Sequence, residues 1–324
     1  MKSFPVSVVN NTHMDSRRWS AVELAPGDVV ISTCYKSGTT WTSQIVLQLL
    51  TGGLEFGAGH EFQNINDAVI WPEFRLSPLD DMKRGLSRLR GRRVFKSHLP
   101  AEALPFRDDV AYLIVARNVP DVAISLWDHY HSFTQSALRT LEFPAPPAEF
   151  GEFWKRWLHE DGYPFWSYFG HTASFWEIRK RPNVLLLHYD DMLRNPRHAI
   201  ARIAAYLGIR ATDSLLDSVS ERSSFAYMKK RPREFAPPSF LLDQTRFINV
   251  GRSGRGRVTL GSHADEWQAV ARSKLPELGI QWLASGDGES SALRPQSNVS
   301  PAPSASSRPA LTSPKSRRLC QRQT

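Results

Sequence analysis

The chain has 324 residues, 41% hydrophobic and 23% charged. That is enough for one large α/β core, and no apolar run approaches the roughly 20 residues of a membrane helix. The formal charge of +9 is uneven: residues 290–324 hold six basic side chains and no acid, which leaves the body only mildly basic. A small polyanionic ligand explains that balance better than nucleic acid does.

In chain order, the runs DVVISTC (28–34), RRVFKSH (92–98), VAYLIVAR (110–117) and NVLLLHY (183–189) read as buried parallel strands. Helical periodicity covers 39–51, 119–131, 171–180, 196–207 and 264–283. Strands alternating with helices predict an α/β fold of three layers, a central parallel sheet with helices on both faces. A single domain is expected over residues 1–285. The Ser-, Pro- and Arg-rich remainder, 286–324, cannot offset its ordering entropy by burial and is expected to be disordered. The N-terminus lacks the long apolar stretch of a secretory leader. The two cysteines, Cys34 and Cys320, form no disulfide framework or metal-ligand spacing. A cytoplasmic protein is expected.

The first strand stops at a loop, CYKSGTT, that runs straight into a helix. Free N–H groups at a helix start and the positive end of its dipole attract anions. Gly38 lets the backbone approach closely, Lys36 adds a charge, and Ser37, Thr39 and Thr40 add hydroxyls. The fold reads as P-loop-like, but the loop departs from G-x-x-x-x-G-K-[ST], because lysine precedes the glycine. The strand that should end in a magnesium-binding aspartate ends in Arg117. No metal site is expected, so the transferred group should carry less charge than a phosphoryl.

These segments resemble the cytosolic-type, PAPS-dependent sulfotransferases, with the character of a bacterial member. TCYKSGTTW resembles their 5′-phosphosulfate loop, and YLIVARNVPDVAIS their 3′-phosphate motif R-N-x-x-D-x-x-x-S. VFKSHLP, LLLHYDDMLRNP, SSFAYMKKRP and FINVGRSGRG match further family segments in the family's order, over roughly residues 25–283. The resemblance implies 3′-phosphoadenylyl sulfate as donor, adenosine 3′,5′-bisphosphate as product, and a small-molecule hydroxyl acceptor. It implies Lys36 on the leaving phosphate, Lys96 on the sulfuryl oxygens, and His98 as general base. Lys96 and His98, two apart, point to the same side of their strand. It further implies Arg117 and Ser125 on the 3′-phosphate. Trp41, Tyr189 and Phe225 fall at adenine positions, and Ser223 and Gly251 lie in the late nucleotide-binding segments.

Departures are visible. Cys34-Tyr35 stand where the family usually has Tyr-Pro, and Asn249-Val250 where it has Arg-Lys. Arg252, Arg255 or Arg257 could supply the missing cations, with Arg252 favoured. The family's C-terminal dimerisation motif is not apparent, so a homodimer stays open. Aromatics crowd 56–74 and 127–169, and the Pro-rich stretch 142–150 fits a lid. They suggest an apolar acceptor: a phenol, a sterol-like or a lipid-like alcohol. His129 and His131, two apart on a predicted helix, face apart and make no metal pair. Two other readings compete: a P-loop kinase or NTPase, and a non-catalytic nucleotide-binding protein.

Overall fold

A computed structural model describes residues 5–286. Five strands form one parallel sheet: β1 (Val29–Thr33), β2 (Val69–Ile70), β3 (Val94–Ser97), β4 (Ala111–Ala116) and β5 (Val184–His188). Their spatial order is β2-β3-β1-β4-β5. Every residue of β1 and β5 is buried, as expected of strands covered on both faces.

Alternation along the strands sorts the core into two layers. Val30, Phe95, Tyr112, Ile114 and Leu186 face one layer, packed against the helices Val119–Tyr130, Phe150–His159 and Tyr168–Ile178. Val29, Ile31, Leu113, Val115 and Leu187 face the other, against Thr39–Thr51, Pro196–Tyr206 and Asp213–Arg222. Truncating a residue such as Leu113, wholly buried in the sheet, should cost about 2–5 kcal/mol.

The expected three-layer α/β fold is present, and all four expected strands form. β2 was missed because two residues cannot display a period. The single helix expected over 264–283 is instead a 3-10 turn, Gly261–Asp265, and two helices, Trp267–Ala271 and Glu277–Ser285. Pro276 explains the last break: it has no N–H to continue a helix and stands at the N-cap of the next one. The stretch 127–169 is not all lid, since it contains Phe150–His159. The tail beyond Gly286, with Cys320, lies outside the described residues; Cys34 is buried and unpaired. Among the described residues no helix is long and apolar enough to cross a membrane.

Position in the sheet places the site. β1 pairs with β3 on one side and β4 on the other, so the strand order reverses beside it. Ligands bind beyond the C-terminal strand ends at such a reversal. The segments leaving β1, β3, β4 and β5 carry Lys36, His98, Arg117 and Tyr189 in that region.

Candidate active site

The catalytic and donor-binding residues expected from the sequence, Ser37 excepted, line one cavity of about 1370 Å³, and of the three arginines weighed Arg252 and Arg255 line it while Arg257 does not. Ser37 is fully buried and its hydroxyl donates to the Tyr35 carbonyl at 3.3 Å, which leaves its backbone, not its side chain, for an anion.

The β1 loop is held open by its own conformation. Gly38, at the N-cap of Thr39–Thr51, has φ +107°, and a Cβ there would sit 3.0 Å from the Tyr189 ring. Glycine is therefore required twice, for its φ and for the close ring. The helix start has no side-chain cap, so its first N–H groups are open to a ligand. Tyr35, the departure from the family's proline, anchors the loop by hydrogen bonds. Its hydroxyl donates to the Trp166 carbonyl and accepts from Trp157 Nε1, both at 2.7 Å.

Lys36 follows with φ +55°, and its Nζ lies 4.9 Å over the Phe247 ring. Burial, aided by the nearby Arg117 cation, pushes its ammonium down to about 8. An anion placed here would reverse that shift. Lys96, also pushed down to about 8 by burial, donates to Asn66 Oδ1 at 2.6 Å and lies over Trp71.

His98 is fixed on both sides. Its Nδ1 is 2.7 Å from the Thr33 carbonyl. A carbonyl only accepts, so Nδ1 carries the proton and Nε2 keeps its lone pair. Its backbone N–H donates to Glu73 Oε1 at 2.8 Å. Glu73, buried completely, also accepts from Ser97 Oγ at 2.7 Å and Trp19 Nε1 at 2.8 Å. Burial in this aromatic surround pushes the His98 imidazole down to about 3.

Arg117, nearly buried at the end of β4, joins two loops. It donates to the Lys36 carbonyl at 3.4 Å and the Arg252 carbonyl at 3.1 Å, and stacks over Tyr189 at 4.2 Å. Its buried Nε has no hydrogen-bond partner among the described residues. The late loop is clamped by Asp121, which accepts from Gly254 N–H at 2.7 Å and Gly256 N–H at 2.8 Å. Gly251 packs against Phe225: a Cβ would fall 2.2 Å from the ring. Tyr189 also meets Trp41 edge-on at 5.4 Å. Ser223 spends its hydroxyl on the Val219 carbonyl at 2.7 Å.

The three arginines weighed for the missing cations differ in their commitments. Arg255 pairs with Asp128, which also accepts from Asn249 at 2.9 Å. Arg257 pairs with Asp265 at 2.5 Å. Arg252 is exposed, lines the cavity, and has no ion pair among the described residues.

The residues fit a nucleotide donor with two separated anionic groups. The open helix start and unpaired lysine suit one group, the orphaned Arg117 Nε the other, and the Trp41, Tyr189 and Phe225 rings lie among them in the same cavity wall. Sequence reasoning missed Glu73, Asp121, Asn66 and His13. Glu73 acts through contacts to residues distant in sequence, which no local pattern signals; Asp121 is the aspartate of the R-N-x-x-D-x-x-x-S motif, but its hold on the late loop cannot be read from that motif. Among the described residues no group of three or more His, Cys, Asp or Glu could hold a metal.

Residues 26–278 match the family model described as the sulfotransferase domain. A sulfotransferase 1E1 of Bos taurus is 32% identical over 218 residues, 65% of this chain and 68% of that protein. A glycolipid sulfotransferase of Mycobacterium bovis is 25% identical over 307 residues, 84% and 92% of the two chains. Among solved structures, mouse sulfotransferase SULT7A1 complexed with PAP superposes with a TM-score of 0.66 at 19% identity, over 87% of this chain and 97% of that one.

Proposed function

Because the chain belongs to the sulfotransferase family, we propose that it moves a sulfuryl group from 3′-phosphoadenylyl sulfate to a hydroxyl of a ring-bearing apolar molecule. One observation carries the reading. A neutral histidine with a free Nε2, an open helix start with its lysine, and an orphaned arginine all line the same cavity. The PAP in the mouse neighbour supports the same donor.

Bound, that donor supplies the sulfuryl group and leaves as adenosine 3′,5′-bisphosphate. The helix start at 38–40 and Lys36 would hold the phosphate that departs, where preorganised positive charge lowers the barrier most. Arg117, Ser125 and Arg252 would hold the 3′-phosphate, with a guanidinium fork suited to bidentate binding. Trp41, Tyr189 and Phe225 would enclose the base. His98 Nε2 takes the proton of the acceptor hydroxyl as its oxygen attacks sulfur and the bond from sulfur to the leaving phosphate breaks. Lys96 would neutralise the sulfuryl oxygens in flight. Asn66 aims it, and Glu73 holds the backbone that presents His98.

A kinase-like reading has weaker support, since β4 is followed by Arg117 rather than a metal-binding aspartate. Retention on immobilised adenosine 3′,5′-bisphosphate, compared with and without magnesium, separates the two; strict magnesium dependence would favour the kinase. The reading also takes residues 1–285 as the catalytic unit and a cytoplasmic location; deleting the tail should leave turnover unchanged.

A further inference from the structure

The acceptor end of the cavity is walled by rings. Trp71 and Phe74 stack at 4.3 Å, His98 lies 5.0 Å from Trp71 and 5.4 Å from Trp166, and Phe133 and Phe165 complete the wall. Two histidines interrupt it. His13, 7% exposed, sits among Phe74, Phe143, Phe165 and Trp166, with ring centroids 5.0–6.4 Å away. His129 lies 4.9 Å from Phe133 and 5.9 Å from Phe247. Both line the cavity.

Four buried nitrogens of this wall lack a hydrogen-bond partner among the described residues: Nδ1 of His13 and His129, and Nε1 of Trp71 and Trp166, which can only donate. Among the described residues, His13 and His129 are the only histidines with a buried ring nitrogen that lacks a hydrogen-bond partner. A buried polar atom without a partner is costly, and native structures leave few of them. Phenylalanine would fill either position in this wall without that cost. Four aromatic rings pack around His13, and its backbone is held on both sides: its N–H by Asn11 Oδ1 at 2.9 Å, its carbonyl by the Arg75 N–H at 2.9 Å. The backbone is thus fixed where the residue lines the cavity, and its Nδ1 is buried just behind the cavity wall.

The contrast with His98 separates roles. Thr33 fixes the tautomer of His98, whereas no hydrogen bond among the described residues fixes that of His13 or His129, so each can offer a donor or an acceptor. Burial pushes His13 down to about 4 and His129 well below its ordinary value. Both are neutral hydrogen-bonding groups at physiological pH, not cations.

We propose that His13 and His129 form a polar subsite for a second oxygen of the acceptor, which is a polyoxygenated ring alcohol rather than a plain hydrocarbon alcohol. This rests on the sulfotransferase reading above. A hydroxyl or carbonyl oxygen on a flat ring pairs the nitrogens that the protein leaves unpaired. The ring itself lies against Trp71, Phe133, Phe165 and Trp166. An acceptor lacking that oxygen leaves a buried nitrogen unsatisfied, which is how a polar site rejects a deoxy analogue.

The test compares kcat/KM for 2-naphthol with that for 2,6- and 2,7-dihydroxynaphthalene, with 3′-phosphoadenylyl sulfate as donor. The full chain should favour the better diol by roughly tenfold or more, the worth of one or two satisfied hydrogen bonds. His13→Phe and His129→Phe should each shrink that ratio. His13→Gln, which keeps a hydrogen-bonding group, should restore part of it. A merely structural role would lower both acceptors together and leave the ratio intact. A ratio near one in the unsubstituted protein, or a ratio unmoved in both phenylalanine variants, overturns the subsite. Calorimetric binding of adenosine 3′,5′-bisphosphate is measured in the same samples. If it persists while the ratio is flat, the subsite alone is wrong; if it is absent, the donor reading fails and the subsite with it.

Discussion

The donor end and the acceptor end of the cavity are built by different means. At the donor end, two cations and a tyrosine ring sit on short segments that leave adjacent strands: Lys36 in the β1 loop, Arg117 after β4, Tyr189 after β5. Each is placed by one strand end, and the Arg117 guanidinium ties two of the loops together. At the acceptor end, rings come from residues 13, 71, 133 and 165, on four separate segments, and meet only when the chain has folded. An anion needs backbone N–H groups and a fixed cation, which a local motif can supply. An apolar pocket needs closure, which only packing supplies.

Substitutions can break or sharpen that contrast. The largest effect is expected where the two ends meet. His98→Ala should lower kcat by roughly 10²–10⁴, the usual worth of a positioned base, with adenosine bisphosphate affinity retained. Turnover near that of the unsubstituted protein would remove His98 from proton transfer. At the donor end, Arg117→Ala should raise the bisphosphate dissociation constant by roughly tenfold to a hundredfold, as for a charge-assisted hydrogen bond. The acceptor KM in that variant, at saturating donor, should stay close to its original value.

The pH profile tests the buried charges. Lys36 and Lys96 are pushed down to about 8, so each is charged below that pH and neutral above it. Because the charged form is the one needed, kcat/KM for the donor should fall above about pH 8, by up to about tenfold per unit for each lysine. His98, pushed down to about 3, stays neutral across the working range and should contribute no acid limb above about pH 4. A steep loss below pH 6 would contradict that assignment. The smallest effect belongs to the acceptor wall: Phe133→Leu should shift acceptor KM only a few-fold, as expected when one ring of several is trimmed to a smaller apolar side chain, and leave bisphosphate binding unchanged.

The same contrast explains what was legible in the sequence. Continuous apolar runs revealed four strands because both faces of the sheet are covered, and the K-S-G-T-T junction stood out as a candidate anion loop because its chemistry is contiguous. β2 escaped because two residues carry no period. Pro276 was in plain view, yet the apolar spacing around it was read as one helix. Glu73, which bridges Trp19, Ser97 and His98, and Asp121, which holds Gly254 and Gly256, depend on contacts that the order of residues does not show. His13 had no helical or strand pattern around it. His129 had one, but its significance lies in the rings that surround it.

Arg117 is proposed to hold the separate 3′-phosphate of a nucleotide bound in the cavity. Calorimetric titration of adenosine 3′,5′-bisphosphate into the full chain and into Arg117→Ala, beside adenosine 5′-monophosphate as the ligand lacking that phosphate, tests it most directly. Expected are micromolar binding of the bisphosphate, much weaker binding of the monophosphate, and a difference that narrows by roughly tenfold or more in Arg117→Ala, Ser125 and Arg252 keeping the remainder. Equal affinity for the two nucleotides, or a bisphosphate affinity unmoved by the substitution in a folded sample, would contradict it.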